Sequence, residues 1–255
     1  MNDEEITTLL SMFLLACAKK NLAMCSFRLF VGKKPENLST IATKKDLETA
    51  VTDKYGVKYS KDGRKLLNCP MELSGSYAIK EGTKVICNSA FCGSRLSNIV
   101  IPDSVTCIGD SAFMYTLLSS IEIPDSVTCI SDSAFELSDL SSIEIPDSVI
   151  GIGDRAFQHC DLLTSVIIPN SVVSIGIGAF SDCRSLTNVE IPNGVTSIGD
   201  FAFLNCVSLS SITIANSVKH IGEFAFNGCD SLFPSIKENI ISRFGKEVFW
   251  ADVIY

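Results

Sequence analysis

The chain has 255 residues, 46% of them apolar, enough to build a continuous core in one or two domains. Its net charge of −8 is uneven: residues 1–65 carry 12 Lys/Arg against 8 Asp/Glu, a net of +4, while residues 66–255 carry 9 against 21, a net of −12. So acidic a body repels nucleic-acid backbones and anionic membrane surfaces, which removes both from the expected partners.

Residues 1–31 open the chain with an apolar run, Ile6 to Ala18, that is shorter than the ~20 residues of a membrane-spanning helix. Three readings stay open. Asp3 with Glu4 and Glu5 behind it is a good helix start, placing Leu10, Phe13, Leu14 and Cys17 on one face of an amphipathic helix. Leu14-Leu15-Ala16-Cys17 has the look of a lipoprotein cleavage site in an atypical export signal, although the acidic start argues against export. The third reading is a wrongly chosen start. Residues 32–76 read as a cap: a short helix over Thr43 to Tyr55, with Leu47, Ala50 and Val51 on one side, then a hairpin turning at Lys61-Asp62-Gly63 between Val57–Ser60 and Arg64–Leu67.

Residues 77–232 repeat. The pair Ala-Phe recurs at Phe91, Phe113, Phe135, Phe157, Phe180, Phe203 and Phe226, with spacings of 22, 22, 22, 23, 23 and 23. Ile-Pro runs in phase at Ile101, Ile123, Ile145, Ile168 and Ile191, and is degenerate at Ile79-Lys80 and Ile214-Ala215. Such a period predicts a solenoid of seven units, each burying its apolar side against its neighbours. Within a unit, Val166 and Ile168 alternate with Ser165 and Ile167, the period of a short strand, and Pro169 ends it because proline cannot donate to a ladder. Asn170, like Asp103, Asp125, Asp147, Asn193 and Asn216, is expected to turn the chain by side-chain bonding to the backbone two residues on. Val172 and Ile175 form a second extended segment, Gly176 permits a corner, and Phe180 stacks between Phe157 and Phe203. Residues 233–255 read as a helical lid with Ser235 near its N-cap, Ile236, Ile240, Ile241 and Phe244 on its apolar face, and Gly245 as its stop.

Four of the 11 cysteines, Cys160, Cys183, Cys206 and Cys229, occupy one repeat position that holds Ser94, Thr116 and Ser138 in earlier units. A slot that takes Cys, Ser or Thr wants a small side chain with a weak donor, so buried free thiols are expected rather than bridges or metal ligands. Units with Cys in the slot carry one more residue in the following corner. Cys107 and Cys129 form a second equivalent pair, the more exposed to oxidation.

The repeat resembles the BspA-like leucine-rich repeat family, whose unit reads much like Leu-x-x-Ile-x-Ile-Pro-x-x-Val-x-x-Ile-Gly-x-x-Ala-Phe-x-x-Cys. Residues 145–160 and 163–229 match it nearly position by position, and the resemblance extends over about 57–249. It implies a leucine-rich-repeat solenoid with one short parallel strand per unit, in proteins that are secreted or displayed on cell surfaces, several of them adhesins binding host matrix proteins such as fibronectin, or other cells. The alternative class is an intracellular scaffold, which many free thiols fit.

No chemistry stands out. The two histidines, His159 and His220, occupy different repeat positions, no Cys-x-x-Cys pair occurs, and no Gly-rich phosphate loop follows a strand. No enzyme, metal or cofactor is therefore expected. The candidate contact residues are those at the centre of each Ile-x-Ile strand, pointing away from the core: Val100, Glu122, Glu144, Ile167, Glu190 and Thr213. Beside them runs a polar row, Asn98, Ser120, Ser142, Ser165, Asn188 and Ser211. The stripe reads either as a surface for a basic protein partner or as a solvated face that keeps the sheet soluble.

Overall fold

The computed structural model describes residues 38–250; the expectations for residues 1–31 lie outside them. Thr43 caps α1 (Lys44–Glu48) through a reciprocal box in which its side chain accepts from Asp46 N and its own N–H donates to the Asp46 carboxylate at 2.9 Å. The helix ends there and does not reach Tyr55. Val51 and Thr52, both β-branched, form β1 (Val51–Thr52), antiparallel to β2 (Lys58–Tyr59), and Asp53 Oδ1 turns the chain between them by accepting from Tyr55 N and Val57 N. Leu47 is consequently exposed. The Asp-Gly hairpin forms as expected: Gly63 takes φ 72°, and β3 (Lys65–Asn68) returns antiparallel to β2. A buried hydroxyl chain ties this cap down, with Tyr59 Oη 2.6 Å from Tyr77 Oη, which donates to Asp53 at 2.7 Å. Lys65, largely buried, is paired with Asp46 at 3.0 Å.

Two parallel sheets follow, one from each extended segment of the repeat. The first contains β4 (Ser74–Ala78) and β6 (Arg95–Val100), then β8 (Ser142–Glu144), β10 (Ser165–Ile167), β12 (Asn188–Ile191) and β14 (Ser211–Ile214). The second continues from β3 through β5 (Val85–Ile86) and β7 (Cys107–Ile108), then β9 (Gly151–Ile152), β11 (Ser174–Ile175), β13 (Ser197–Ile198) and β15 (His220–Ile221). Register is one repeat per rung: Glu144 faces Ile167, Ser165 faces Asn188, and Glu190 faces Thr213. Both sheets lapse at the same rung, where Ile121–Ile123 forms no strand and Ile130 makes only an isolated bridge to Ile152.

Between the sheets the seven phenylalanines form one axial pile. Successive centroids are 5.1, 5.5, 5.3, 5.1, 5.3 and 5.4 Å apart with ring planes within 7° of parallel. Tyr77 closes one end of the pile and Phe249 the other, both tilted. Each Phe is fully buried, as is the alanine before it to within 1%.

Three local expectations change. The Asp/Asn after Ile-Pro does not turn the chain by its side chain; a backbone bond from the valine closes the turn, as in Val149 N to Pro146 O at 3.0 Å, and Asp147 stands exposed. The serine that follows bonds instead to the preceding rung: Ser148 Oγ donates to Val127 O at 2.6 Å. Gly176 is needed for close approach rather than for a corner, since a Cβ there would lie 2.5 Å from the carbonyl carbon of Gly153. At the far end α2 (Pro234–Phe244) starts with Pro234 at N1 and Phe233 as its N-cap, so Ser235 lies inside the helix; Gly245 stops it at φ 91°. Arg243 reaches from α2 to the carbonyls of Ile214 and Ala215 at 2.8 and 2.9 Å, covering the end of β14.

Candidate functional site

The outward face of the first sheet forms the floor of a groove of about 1510 Å³. Strand alternation determines which side chains stand there. Ile143, Ile145, Val166, Val189 and Ile191 turn inward and are buried, so Glu144, Ile167 and Glu190 must turn out. Glu122, Glu144, Ile167, Glu190 and Thr213 line this groove together, with Asp125, Asp147, Asn170 and Asn193 along one wall and Thr164 and Thr187 on the other side. Val100 points the same way, 55% exposed, but belongs to a smaller recess with Asn98 and Ser120 beyond the lapse in the sheet. Thus five of the six candidate residues share one surface and the sixth adjoins it. Ile167 is 60% exposed among carboxylates, the single bare apolar residue on this acidic floor.

The cysteine slot is a hydrogen-bonding column. Cys160, Cys183, Cys206 and Cys229 are free and buried, and each thiol donates at 3.1 Å to the carbonyl of the preceding rung's Phe: Phe135, Phe157, Phe180 and Phe203. Burial pushes the Cys160 thiol up to about 11 and raises Cys183 well above its ordinary value, so both are poor nucleophiles. Thr116, in the same slot, bonds to Phe113 O of its own rung at 2.9 Å. Among the described residues, no group of three or more His, Cys, Asp or Glu is placed to hold a metal ion. His159 lies 4.0 Å from Asp182, whose other contacts are Ser181, Arg184 and Asn205, and His220 sits apart on β15.

A second acidic column went unread in the sequence. At the position after the corner residue, four side chains accept a backbone N–H from the next rung: Asn88 Oδ1 from Asp110, Asp132 Oδ1 from Asp154, Asp154 Oδ1 from Ile177, and Asp200 Oδ1 from Glu223. Burial raises the Asp132 pKa, opposed by the Asp154 N–H and reinforced by the charges of Asp154 and Asp110. The folded state therefore holds this proton more tightly than the unfolded chain, and the associated stability is present at low pH and lost as pH rises through the folded pKa. Asp132→Asn keeps the acceptor, as Asn88 already shows, and removes the charge. It is expected to raise stability at pH 7 by about 0.5 kcal/mol, screened because the site is half-exposed, with the gain vanishing in acid. Urea midpoints at the two pH values check this, and a loss at pH 7 would contradict it.

The sequence pattern of the BspA type leucine rich repeat region matches in six copies, over residues 71–164 and 150–252. The chain belongs to this family. A leucine-rich repeat protein of Eubacterium ventriosum has a similar structure, with a TM-score of 0.64 and 26% identity over 79% of this BspA-type chain and 55% of its own. The T. pallidum leucine rich repeat protein gives 0.62 and 27%, over 74% of this chain and 92% of its own. The pneumococcal vaccine antigen PcpA, at 0.52 and 20% identity over 68% and 50%, shares the fold. This chain thus spans only about half of the Eubacterium protein. No curated protein matches. BspA-type repeats form protein-binding modules, and no described helix here is long and apolar enough to cross a membrane.

Proposed function

We propose that this chain is a non-enzymatic binding module that works at the cell surface, adhering to host matrix proteins or to other cells through the groove over its first sheet. The observation that carries this reading is the groove floor of Glu122, Glu144, Ile167, Glu190 and Thr213, the last four on strands stacked in register. Glu144 and Glu190 are held on stacked strands whose side-chain positions are already fixed, so a basic partner meets a preorganised surface. Glu122 and Glu144 lie one repeat apart along this floor, and a cationic partner would relieve the like-charge repulsion between them. Membership of the BspA-type family supports the surface location.

Changing Glu122, Glu144 and Glu190 together to Gln is expected to weaken attachment to fibronectin-coated surfaces or to cells by ~10-fold or more, while the melting temperature stays put or rises. Unchanged attachment rejects the stripe as the contact. Labelling of intact cells with an impermeant reagent tests the location. A protein that is labelled only after lysis is an intracellular scaffold.

A further inference from the structure

Resting on the reading of the groove as a contact surface, we infer that its ligand is an α-helix, with basic residues at its first, fifth and twelfth positions and an apolar residue at the eighth. Two features of the groove lead there. The first is what the floor lacks. From β8 to β14 its backbone N–H and C=O groups are used within the parallel ladders, so those four rungs offer side chains only, and the Glu122 rung alone lies outside the ladders. An extended peptide laid on it finds no backbone partners, whereas a helix satisfies its own.

The second feature is pitch. Rungs repeat every 5.1–5.5 Å along the ring column. A helix rises about 5.4 Å per turn, and an extended chain presents same-side residues about 6.8 Å apart. From Glu122 to Glu190 is three rungs, about 16 Å, which three helical turns match. Three steps of an extended chain reach about 20 Å, a slip of nearly one rung. At the ~4.8 Å spacing of the strands themselves, the helix still fits better than the extended chain.

Charge then fixes the pattern, and the same pattern read from the other end, with the apolar residue at the fifth position, fits a helix laid in the opposite direction. Glu122 and Glu144 stand beside Asp125 and Asp147, making one end of the groove doubly acidic. Ile167 stands beside Asn170, an uncharged waist, and Glu190 beside Asn193 restores a single charge. A helix with its basic pair over Glu122 and Glu144, an apolar side chain on Ile167 and a third basic residue over Glu190 pairs every position. Shifting it by one turn sets a cation on Ile167 and an apolar group on a carboxylate.

The test uses the full chain and fluorescence anisotropy with three alanine-based peptides. One carries Lys, Lys, Leu, Lys at the first, fifth, eighth and twelfth positions. One has the first and eighth residues exchanged, which mismatches the floor in either chain direction, and one has a central proline that breaks the helix. The registered peptide is expected to bind about 10-fold more tightly than the exchanged one, and Ile167→Glu, which makes all four positions acidic, to erase that preference. Equal binding of the registered and exchanged peptides, or stronger binding of the proline peptide, overturns the helix inference. The Glu122, Glu144 and Glu190 to Gln variant separates the two levels. If it abolishes binding while exchange has no effect, the stripe stands and the helix falls. If it leaves binding of the registered peptide unchanged, the stripe itself is wrong.

Discussion

Phe157→Ala is expected to lower stability by about 3–5 kcal/mol and to split unfolding into two transitions. The ring fills the middle of the pile, 5.3 Å from Phe135 and 5.1 Å from Phe180, fully buried on every side. The size of the loss depends on whether the cavity can collapse, and here the backbone is pinned from the next rung. Phe157 N donates to Ala179 O at 2.8 Å, and its carbonyl accepts from Cys183 Sγ at 3.1 Å. The rung cannot sink into the space, so the cost belongs at the upper end of that range. Each rung touches only its two neighbours, so weakening the central one uncouples the N-terminal units from the C-terminal ones. Phe249→Ala is the control: Phe249 sits tilted by 38° on the last ring, and its loss should fray one end within a single main transition. Urea unfolding followed by circular dichroism distinguishes them. A loss below about 1 kcal/mol for Phe157→Ala would mean that the pile is not what holds the rungs together.

The pile was legible because every rung repeats the same environment, so a buried residue recurs at a fixed interval and announces itself. The cysteine slot was legible for the same reason: Ser94, Thr116 and Ser138 in place of Cys report the size and donor character of the site. The stripe followed from strand alternation alone. Other features share the period but not the residue type, and these were hidden. The positions two after each Phe and one before each Ala take left-handed backbone angles, at φ 56° for Tyr115, 59° for Leu137, 59° for Phe201 and 56° for Phe224. Bulky residues adopt this region at a cost of about 1–2 kcal/mol each, so a reader of sequence looks for glycine or asparagine there. Here the corner imposes the angle whatever the residue, because N–H groups across it must reach the next rung: Tyr115 N to Glu136 O at 2.8 Å, Leu137 N to Gln158 O at 2.8 Å, Phe201 N to Glu223 O at 2.9 Å. The Asp132 column was masked differently. Gly-Asp and Ser-Asp read as solvated turns, and only the stacked geometry reveals that Asp132, Asp154 and Asp200 serve the rung beyond them. The groove walls were also out of reach, since the turn residues Asp125 and Asp147 face the floor only once the rungs are closed.

Gly176→Ala should open the second sheet between β9 and β11 and cost about 1–3 kcal/mol. The glycine has an ordinary backbone conformation, so alanine brings no torsional penalty of its own; the conflict is one of space. An added Cβ would come within 2.5 Å of the Gly153 carbonyl carbon and 2.6 Å of Asp154 N, backbone atoms that no rotamer change can move away. The molecule already contains this experiment. In the column Gly109, Ser131, Gly153, Gly176, Gly199, Gly222, the exception is Ser131, and its rung is the one where both sheets lapse. The gap between Phe113 and Phe135, which that serine spans, is the widest in the pile at 5.5 Å, against 5.1 Å at Gly176 between Phe157 and Phe180. Ser131 recovers part of its cost by donating to Ile108 O at 2.5 Å, a bond that alanine at 176 cannot make. Gly176→Ser should therefore be milder than Gly176→Ala although its side chain is larger, an order opposite to that set by volume alone. Hydrogen exchange at Gly176 N, now bonded to Ile152 O at 2.9 Å, should accelerate in the alanine variant and less in the serine one. If serine proves the more damaging, side-chain size governs the rung spacing and the lapse at Ser131 has another cause.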